Sequence, residues 1–303
     1  MKVLATRRLP GPAWDELQDV EIGAVDRLRP GVAALIAGNE TVAEHELELL
    51  PDLRLVANFG VGYDRVDVDA CRRRGVAVTN TPGVLDAATA DLAFALLLAV
   101  RRGVVAGDRR VREGGWRDGW SEGHALSADV SGKTVGIVGL GRIGSAFARR
   151  AVAFDLRVLY TNRSTVDERY ERRELDDLLR ESDIVSLHAP RTPETQGLID
   201  ARRLALLRDG ATIVNTARGD LIDEDALVRE LTSGRIGAGL DVFAHEPAVP
   251  AALLGLSNVV LTPHIGSATT ETRAAMTRLV VDNVLALERG APLVTPVKPV
   301  TPA

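Results

Sequence analysis

Cysteine is nearly absent from this sequence. Of its 303 residues only Cys71 carries a thiol, so an intrachain disulfide and a metal site built from several cysteines are excluded. A reducing compartment such as the cytoplasm fits this composition. We therefore predict a cytoplasmic protein with no metal site.

Long apolar runs and an excess of positive charge are also lacking. The longest apolar stretch, Leu92 to Val100, is too short to span a bilayer, and the segment that begins Met1-Lys2-Val3 lacks the apolar core of a signal peptide. The formal net charge is -5 and the sequence pI is about 5.7, so no overall positive field would attract nucleic acid or an anionic membrane. We expect neither as a partner.

The first hundred residues alternate short apolar runs with helical patterns, which is typical of a doubly wound α/β sheet. A long helix is predicted from Asp86 to Arg102. The segment Gly103 to Val130, with Trp116 and Trp120, is predicted to be irregular. The predicted strands are Val3–Thr6, Ala33–Ala37, Leu55–Asn58 and Ala77–Asn80, and the predicted helices are Thr41–Leu50 and Val68–Arg74.

A second series of strands and helices starts at Lys133. Six strands that alternate with helices are the number found in a Rossmann domain. A last helix, Thr269 to Glu288, lies beyond the final strand and is expected to return to the first unit, with a proline-rich tail after it. The six strands are Thr134–Val138, Arg157–Tyr160, Ile184–His188, Thr212–Thr216, Gly237–Asp241 and Val259–Leu261.

A glycine-rich loop, Val138 to Gly144, stands between the first of these strands and a helical pattern, Ser145 to Phe154. In a dinucleotide-binding loop the first glycine allows a tight turn, the second lets the backbone approach a pyrophosphate, and the third lets helix and strand pack closely. Gly139, Gly141 and Gly144 occupy these positions. The context of strand, turn and helix predicts a dinucleotide-binding site.

These patterns predict an α/β protein with two doubly wound parallel-sheet domains. A Rossmann cofactor domain, residues 100–271, would be inserted in a discontinuous, flavodoxin-like substrate domain, residues 1–99 and 272–303.

Three polar residues follow strands of the second series or lie in a turn near them. Arg218 follows the strand Thr212–Thr216, His264 follows Val259–Leu261, and Glu246 lies in the turn His245-Glu246-Pro247. An arginine can bind a carboxylate and a carbonyl oxygen together, a histidine suits proton donation near neutral pH, and a glutamate can orient the imidazole and favour its charged form. This set of groups fits the reduction of a 2-keto acid.

The chain resembles the D-isomer-specific 2-hydroxyacid dehydrogenase family. The resemblance rests on six motifs that agree in order and spacing. They are Asn58-Phe59-Gly60-Val61-Gly62-Tyr63-Asp64, Asn80-Thr81-Pro82-Gly83-Val84, the glycine loop, Asn215-Thr216-Ala217-Arg218-Gly219, Gly239-Leu240-Asp241-Val242-Phe243 with Glu246-Pro247, and Pro263-His264-Ile265-Gly266-Ser267-Ala268-Thr269.

The resemblance implies hydride transfer between NAD(P)H and a small 2-keto acid, giving a D-2-hydroxy acid. Arg218, Glu246 and His264 would be catalytic, and the substrate would contact Arg218, His264 and the backbone N–H groups of Val61 and Gly62, between the two domains. It also implies a homodimer formed through the cofactor domain, with the Gly103–Val130 segment as a contact arm. The expected cofactor contacts are Gly139, Gly141, Arg142, Ile143, Gly144, Asn162, Arg163, Ser164, Ala189, Pro190, Thr195, Thr216, Ala217, Arg218, Asp241, His264 and Gly266.

The residues after the strand Arg157–Tyr160 indicate which nicotinamide cofactor, NAD(H) or NADP(H), the chain prefers. An NAD site usually places an acidic residue about 20 positions beyond the glycine loop, whereas an NADP site places arginine near the extra phosphate. Here Asn162 stands at the position of the acidic residue, and Arg163 and Ser164 follow it. We predict a preference for NADP(H) over NAD(H).

The segment Val84 to Ala93 is most similar to the glyoxylate and hydroxypyruvate reductases of the family, which makes these small keto acids the leading substrates. The alternatives are a D-3-phosphoglycerate dehydrogenase or another D-2-hydroxyacid dehydrogenase, and, outside enzymes, an NAD(H)-sensing corepressor.

Two departures from the family pattern bear on cofactor contacts and substrate range. Arg191 stands where an apolar residue is common, and Ala244-His245 precedes Glu246 where acidic residues are common.

Overall fold

A computed structural model describes residues 1–117, 126–163 and 167–297. The chain forms two units. The first consists of Met1–Asp86 and Ser267–Ala303, and the second of Ala87–Gly266. None of the helices within the described ranges has the length and apolarity needed to cross a membrane.

Within the described residues, the first unit has a five-stranded parallel sheet in the order β2-β1-β3-β4-β5. Its central strand β3 is buried at every residue, as expected for a parallel strand covered on both faces. The edge strand β2 was not predicted, because its residues are partly exposed and have no apolar run. The elements are β1 Lys2–Ala5, β2 Val20–Ile22, β3 Val32–Ala37, α1 Glu44–Glu48, β4 Leu55–Asn58, α2 Val68–Arg73 and β5 Ala77–Thr79.

The last helix, α9 (Thr270–Glu288), belongs to this first unit. The Thr269 side chain caps its N-terminus by accepting a hydrogen bond from the N–H of Thr272. The Thr277 hydroxyl donates to the carbonyl of Pro10 at 2.5 Å. The helix therefore returns to the first unit, as the sequence predicts.

The second unit has, within its described residues, a seven-stranded parallel sheet in the order β12-β11-β10-β9-β6-β7-β8. The short edge strand β8 adds to the six strands that were predicted. The elements are α3 Asp86–Arg101, α4 Val104–Arg112, β6 Thr134–Val138, α5 Arg142–Ala153, β7 Arg157–Thr161, β8 Glu171–Arg172, α6 Leu175–Glu181, β9 Ile184–Leu187, α7 Ala201–Leu204, β10 Thr212–Asn215, α8 Glu224–Thr232, β11 Gly237–Leu240 and β12 Val259–Leu261.

The boundaries between the units differ from the predicted 1–99, 100–271 and 272–303. They fall after Asp86 and after Gly266, so nearly all of α3 belongs to the second unit. The reason is packing, because Phe94 and Leu97 of α3 share one buried cluster with Ile137 of β6. The sequence shows where the helix ends, but it does not show which of the two sheets the apolar side of the helix covers.

The segment Gly103 to Val130 was predicted to be irregular, and its first part is helical instead. Helix α4 follows Gly103, which has a left-handed backbone conformation, and its nine residues contain no proline to interrupt it. Trp116 is exposed, whereas Trp120 lies outside the described residues.

The predicted fold class is confirmed. Both sheets are parallel and carry helices, and β6 pairs with both β7 and β9, so the strand order changes direction at β6. In such sheets ligands bind beyond the carboxyl ends of the strands at this switch point. The glycine loop follows β6 and therefore occupies that position.

Candidate active site

The glycine loop makes a tight turn at the end of β6. Gly139 has φ +95°, a conformation that favours glycine, and a Cβ on it would lie 2.8 Å from the backbone nitrogen of Ala189. Gly144, in the first turn of α5, is buried against the loop. The turn therefore lies against the segment that follows β9, where Ala189 and Pro190 were predicted to contact a cofactor.

The N-terminus of α5 fits the pyrophosphate of a dinucleotide. Its N-cap, Gly141, offers no side chain to accept hydrogen bonds from the first backbone N–H groups, and a Cβ on Gly141 would point into open space. Arg142 and Ile143 form the start of the helix, and no acidic residue lies in its first turn. Such a helix start attracts an anion.

A second observation fits a bound cofactor. The hydroxyl of Thr216, directly after β10, is buried and has no hydrogen-bond partner among the described residues. A buried polar atom without a partner costs free energy, and a ligand that donates or accepts there would remove this cost. Thr216 was among the predicted cofactor contacts.

The residues after β7 are accessible. Asn162 is partly exposed, and its carbonyl accepts a hydrogen bond from Arg172 at 3.1 Å. The Arg163 guanidinium is exposed and lies 3.9 Å from the Glu194 carboxylate. This separation and exposure make a weak ion pair, so Arg163 can exchange this partner for an anionic ligand. Ser164 lies outside the described residues.

The loop after β9 is organised by Thr195. Its hydroxyl donates to the carbonyl of Pro190 at 2.7 Å and accepts from the N–H of Thr192 at 2.8 Å. Thr195 was predicted to contact the cofactor. In this structure its hydroxyl is hydrogen-bonded within the loop. Arg191, where the family pattern has an apolar residue, pairs with Asp220 and so links this loop to the one after β10.

Two neighbouring residues shape the loop that carries Arg218. The Asn215 side chain donates to the carbonyl of Arg218 at 2.8 Å and accepts from the N–H of Ala217 at 3.0 Å. A Cβ on Gly219 would overlap the backbone between Phe243 and Ala244. Glycine at this position therefore lets the Arg218 loop approach the loop that carries Glu246.

Glu246 and His264 are paired. The Glu246 carboxylate lies 2.8 Å from Nδ1 of His264, and its other oxygen accepts from the N–H of Phe243 at 3.2 Å. Burial raises the pKa of Glu246, but the hydrogen bond and the charge of His264 outweigh burial, so the net pKa lies below its usual value. Arg218 lowers this pKa further. The carboxylate is therefore ionised and accepts the Nδ1 proton.

Asp241 holds the backbone of the His264 turn. One carboxylate oxygen accepts from the N–H of Ile265 at 2.8 Å and from the Thr262 hydroxyl at 2.6 Å, and the other accepts from the N–H of Gly266 at 2.8 Å. Burial raises the pKa of Asp241, and these hydrogen bonds oppose the rise. His264 itself has φ 53° and donates its N–H to the carbonyl of Asp241. Only the oxygen bonded to Gly266 keeps a lone pair for the predicted cofactor contact, and the side chain is fully buried.

In the first unit, Val61 and Gly62 form a turn after β4. Val61 is half-buried and Gly62 is exposed, and their carbonyls accept hydrogen bonds from the side chains of Asn80 and Asn58, respectively. At the start of the turn the N–H of Gly60 donates to the carbonyl of Asn58 at 3.0 Å. The carbonyls of the turn are therefore engaged by side chains of the same unit.

The sequence analysis included Asn215 and Gly219 in the Arg218 motif but assigned them no role in shaping the loop. The signal was present, because an asparagine at the end of a strand can bond the backbone two or three residues onward. Among the described residues, no group of three or more His, Cys, Asp or Glu side chains is arranged to hold a metal ion.

Comparison with known proteins gives one consistent result. Residues 94–266 match the family described as D-isomer specific 2-hydroxyacid dehydrogenase, NAD binding domain. A glyoxylate reductase from Pyrococcus horikoshii is 46% identical over 95% of this chain and 93% of its own length.

Solved structures agree with this relationship. A protein from Thermus thermophilus has a TM-score of 0.93 and 43% identity and covers 98% of this chain and 100% of its own. An NADPH-dependent glyoxylate/hydroxypyruvate reductase from Sinorhizobium meliloti, in complex with NADP and malonate, has a TM-score of 0.89 and 37% identity over 98% of this chain and 96% of its own. The chain belongs to the D-isomer-specific 2-hydroxyacid dehydrogenase family.

Proposed function

We propose that this protein reduces a small 2-keto acid, glyoxylate or hydroxypyruvate, to the D-2-hydroxy acid with a nicotinamide cofactor. The observation that supports this most strongly is the Glu246–His264 pair at 2.8 Å, together with the close approach of the Arg218 loop at Gly219. The names of the relatives from Pyrococcus and Sinorhizobium support the same substrate class.

In this proposal His264 is the general acid. Its Nδ1 faces the ionised Glu246, so Nε2 is the nitrogen left to protonate the carbonyl oxygen of the substrate. Glu246 fixes the orientation of the imidazole through its bond to Nδ1. Arg218 binds the substrate carboxylate and stabilises the negative charge that develops on the carbonyl oxygen. A bound nicotinamide would supply the hydride, and the α5 N-terminus and Thr216 would hold the cofactor.

The N–H groups of Val61 and Gly62 are proposed to hold the substrate carboxylate. Backbone N–H groups in a glycine turn bind anions without a bulky side chain in the way.

The first experiment measures initial rates with NADPH and with NADH, each with glyoxylate, hydroxypyruvate, pyruvate and an aryl pyruvate. Rapid oxidation with glyoxylate or hydroxypyruvate is expected. A preference for the aryl substrate would contradict the proposed substrate class and keep the reaction type. No turnover with any keto acid would contradict the proposed reaction and favour a role in sensing NAD(H).

We also propose that NADP(H) is preferred. Asn162 places no negative charge near a 2′-phosphate, and the weakly paired Arg163 can contact it. The double variant Asn162→Asp, Arg163→Pro should shift the ratio of specificity constants toward NADH. Arg180→Gln, which removes an exposed arginine paired with Asp177 on α6, is the control and should leave the ratio unchanged. An unchanged ratio in the double variant would contradict the assignment.

A homodimer is proposed on the surface of α4. Among the described residues of this helix none is buried, yet Val104, Val105 and Val111 are apolar. A second copy of the chain would cover them. Sedimentation should show twice the 32.4 kDa of one chain, and a species of one chain mass at micromolar concentration would contradict the dimer. Cytoplasmic localisation stays a prediction.

A further inference from the structure

Two asparagine side chains donate hydrogen bonds to the carbonyls of Gly60, Val61 and Gly62, a segment called here the substrate turn. Asn58 Nδ2 donates to the carbonyls of Gly60 at 3.0 Å and Gly62 at 2.9 Å. Asn80 Nδ2 donates to the carbonyl of Val61 at 2.9 Å.

These bonds orient the N–H groups that the proposed function requires. In a trans peptide the C=O of one residue and the N–H of the next point in opposite directions. The Gly60 carbonyl accepts from the Asn58 side chain and from the N–H of Thr81 at 3.0 Å, and these bonds set the direction of the Val61 N–H. The bond from Asn80 to Val61 sets that of the Gly62 N–H. The Val61 N–H therefore points away from the Asn58 amide, and the Gly62 N–H points away from the Asn80 amide.

Asn80 is itself held by the C-terminal segment, Val294 to Val297. The Thr295 hydroxyl donates to the carbonyl of Asn80 at 2.6 Å, and the Asn80 N–H donates to the carbonyl of Thr295 at 3.3 Å. An antiparallel bridge joins Thr79 to Pro296, and the N–H of Val297 donates to the carbonyl of Val78 at 2.8 Å. The segment thus lies along the edge strand β5.

Asn283 of α9 anchors this segment. It is fully buried, its Nδ2 donates to the Thr295 hydroxyl at 2.9 Å, and its Oδ1 accepts from the N–H groups of Val294 at 2.9 Å and Thr295 at 3.1 Å. A buried amide is costly unless its hydrogen bonds are made, and here both ends of the amide are engaged. The Asn283 side chain thus bonds the Thr295 hydroxyl, and that hydroxyl bonds the backbone carbonyl of Asn80.

We propose that the C-terminal segment positions the substrate turn, with Thr295 and Asn80 as positioning residues for the carboxylate-binding N–H groups. The inference rests on the proposed function, because it assigns these N–H groups to the keto-acid carboxylate. Thr295 lies 215 positions from Asn80 in the sequence, and it would thereby influence substrate affinity without contacting the substrate.

Thr295→Val tests this directly, since it keeps the shape of the side chain and removes the hydroxyl. The expected result is a KM for glyoxylate that rises about three- to tenfold, the effect of losing one neutral hydrogen bond. The KM for NADPH and the kcat should stay within about twofold, because the change affects carboxylate binding alone. Thr295→Ser, which keeps the hydroxyl, should restore the KM.

Asn80→Asp provides a second variant of nearly the same shape. It replaces the donor toward Val61 with a carboxylate oxygen, which repels the carbonyl, so the rise in glyoxylate KM should exceed that of Thr295→Val. Hydrogen exchange of the peptide covering residues 58–63 should become faster in both variants.

Thr277→Val is the matched control. It removes a buried hydroxyl from the same unit, one that bonds to the carbonyls of Pro10 and Arg273, and should change neither the glyoxylate KM nor the exchange of residues 58–63. If the wild type reduces glyoxylate but Thr295→Val and Asn80→Asp keep its KM and exchange rates, the inference is wrong. If the wild type reduces no keto acid, the proposed function fails. If, in addition, Thr295→Val and Asn80→Asp leave the hydrogen exchange of residues 58–63 unchanged, the positioning is wrong as well.

Discussion

His188 provides a test of the environment beside the glycine loop. It follows β9, its N–H donates to the carbonyl of Val138 at 2.8 Å, and its ring lies 5.1 Å from the ring of Phe147 between centroids. Its Nε2 is 2.8 Å from the Ser186 hydroxyl. Desolvation of the imidazole lowers its pKa from 6.5 to about 3, because the charged form loses its hydration.

This pKa has a consequence for stability. Between pH 6.5 and about 3 the unfolded chain binds a proton at His188 that the folded chain does not, so the free energy of unfolding falls as the pH falls. The slope is about 1.4 kcal/mol for each pH unit. At pH 5 the loss relative to neutral pH is about 2 kcal/mol. At pH values above 6.5 the imidazole is neutral in both states and contributes no pH dependence.

His188→Gln removes the titration and keeps an amide near Ser186. Its free energy of unfolding, measured by urea denaturation from about pH 7.5 to about pH 4.5, should rise relative to the wild type by about 1.4 kcal/mol per unit as the pH falls below about 6. Taking the difference between variant and wild type removes the effect of the other titrating groups.

Ser186→Ala is the control for this experiment. It removes the hydrogen-bond partner and keeps the imidazole, so it should lower stability by about 1 kcal/mol and retain the wild-type pH slope. A difference between His188→Gln and wild type that stays constant to within about 0.3 kcal/mol across this range would refute the reasoning, because it would mean that His188 titrates alike in both states.

Three further predictions concern single positions. Gly219→Ala forces a Cβ into the backbone at Phe243 and should cost about 2 kcal/mol or more in urea denaturation and slow keto-acid reduction, whereas Gly255→Ala, at a site with open space around it, should do neither. Glu246→Gln removes the carboxylate that accepts the hydrogen bond from Nδ1 of His264, so kcat/KM for keto-acid reduction should fall at least about tenfold, and an unchanged kcat/KM would contradict the orienting role of Glu246. Burial raises the pKa of the Cys71 thiol to about 11, so a thiol reagent at about pH 8 should label Cys71 only after urea unfolds the chain, and rapid labelling of the folded protein would contradict this burial.

Much of the fold was predictable from local pattern. The strands β3, β4 and β9 are buried at every residue, and their mainly apolar runs are visible in the sequence. The edge strands β2 and β8 were missed because an edge strand is partly exposed and needs no apolar run. Helix α4 was missed because none of its described residues is buried, so it has no apolar face that packs on the core and repeats with the helical period.

The candidate site was predictable to a similar extent. The positions of Arg218, Glu246 and His264 follow from short motifs after strands, because parallel strands end at one edge of a sheet and bring the residues that follow them together. Two features depend on how the loops fold. They are the 2.8 Å distance between the Glu246 carboxylate and Nδ1 of His264 and the close approach of the loops that Gly219 allows. A single sequence does not specify these conformations.

The sequence by itself determined the family, the two α/β units and the glycine loop at the end of β6, because each depends on residues that are neighbours along the chain. Only the tertiary structure assigned α3 to the second unit, since the choice depends on which sheet buries Phe94 and Leu97. It also joined Thr295 to Asn80. Hydrogen bonds between residues so distant in sequence form only when the whole unit has folded, and no local pattern records them.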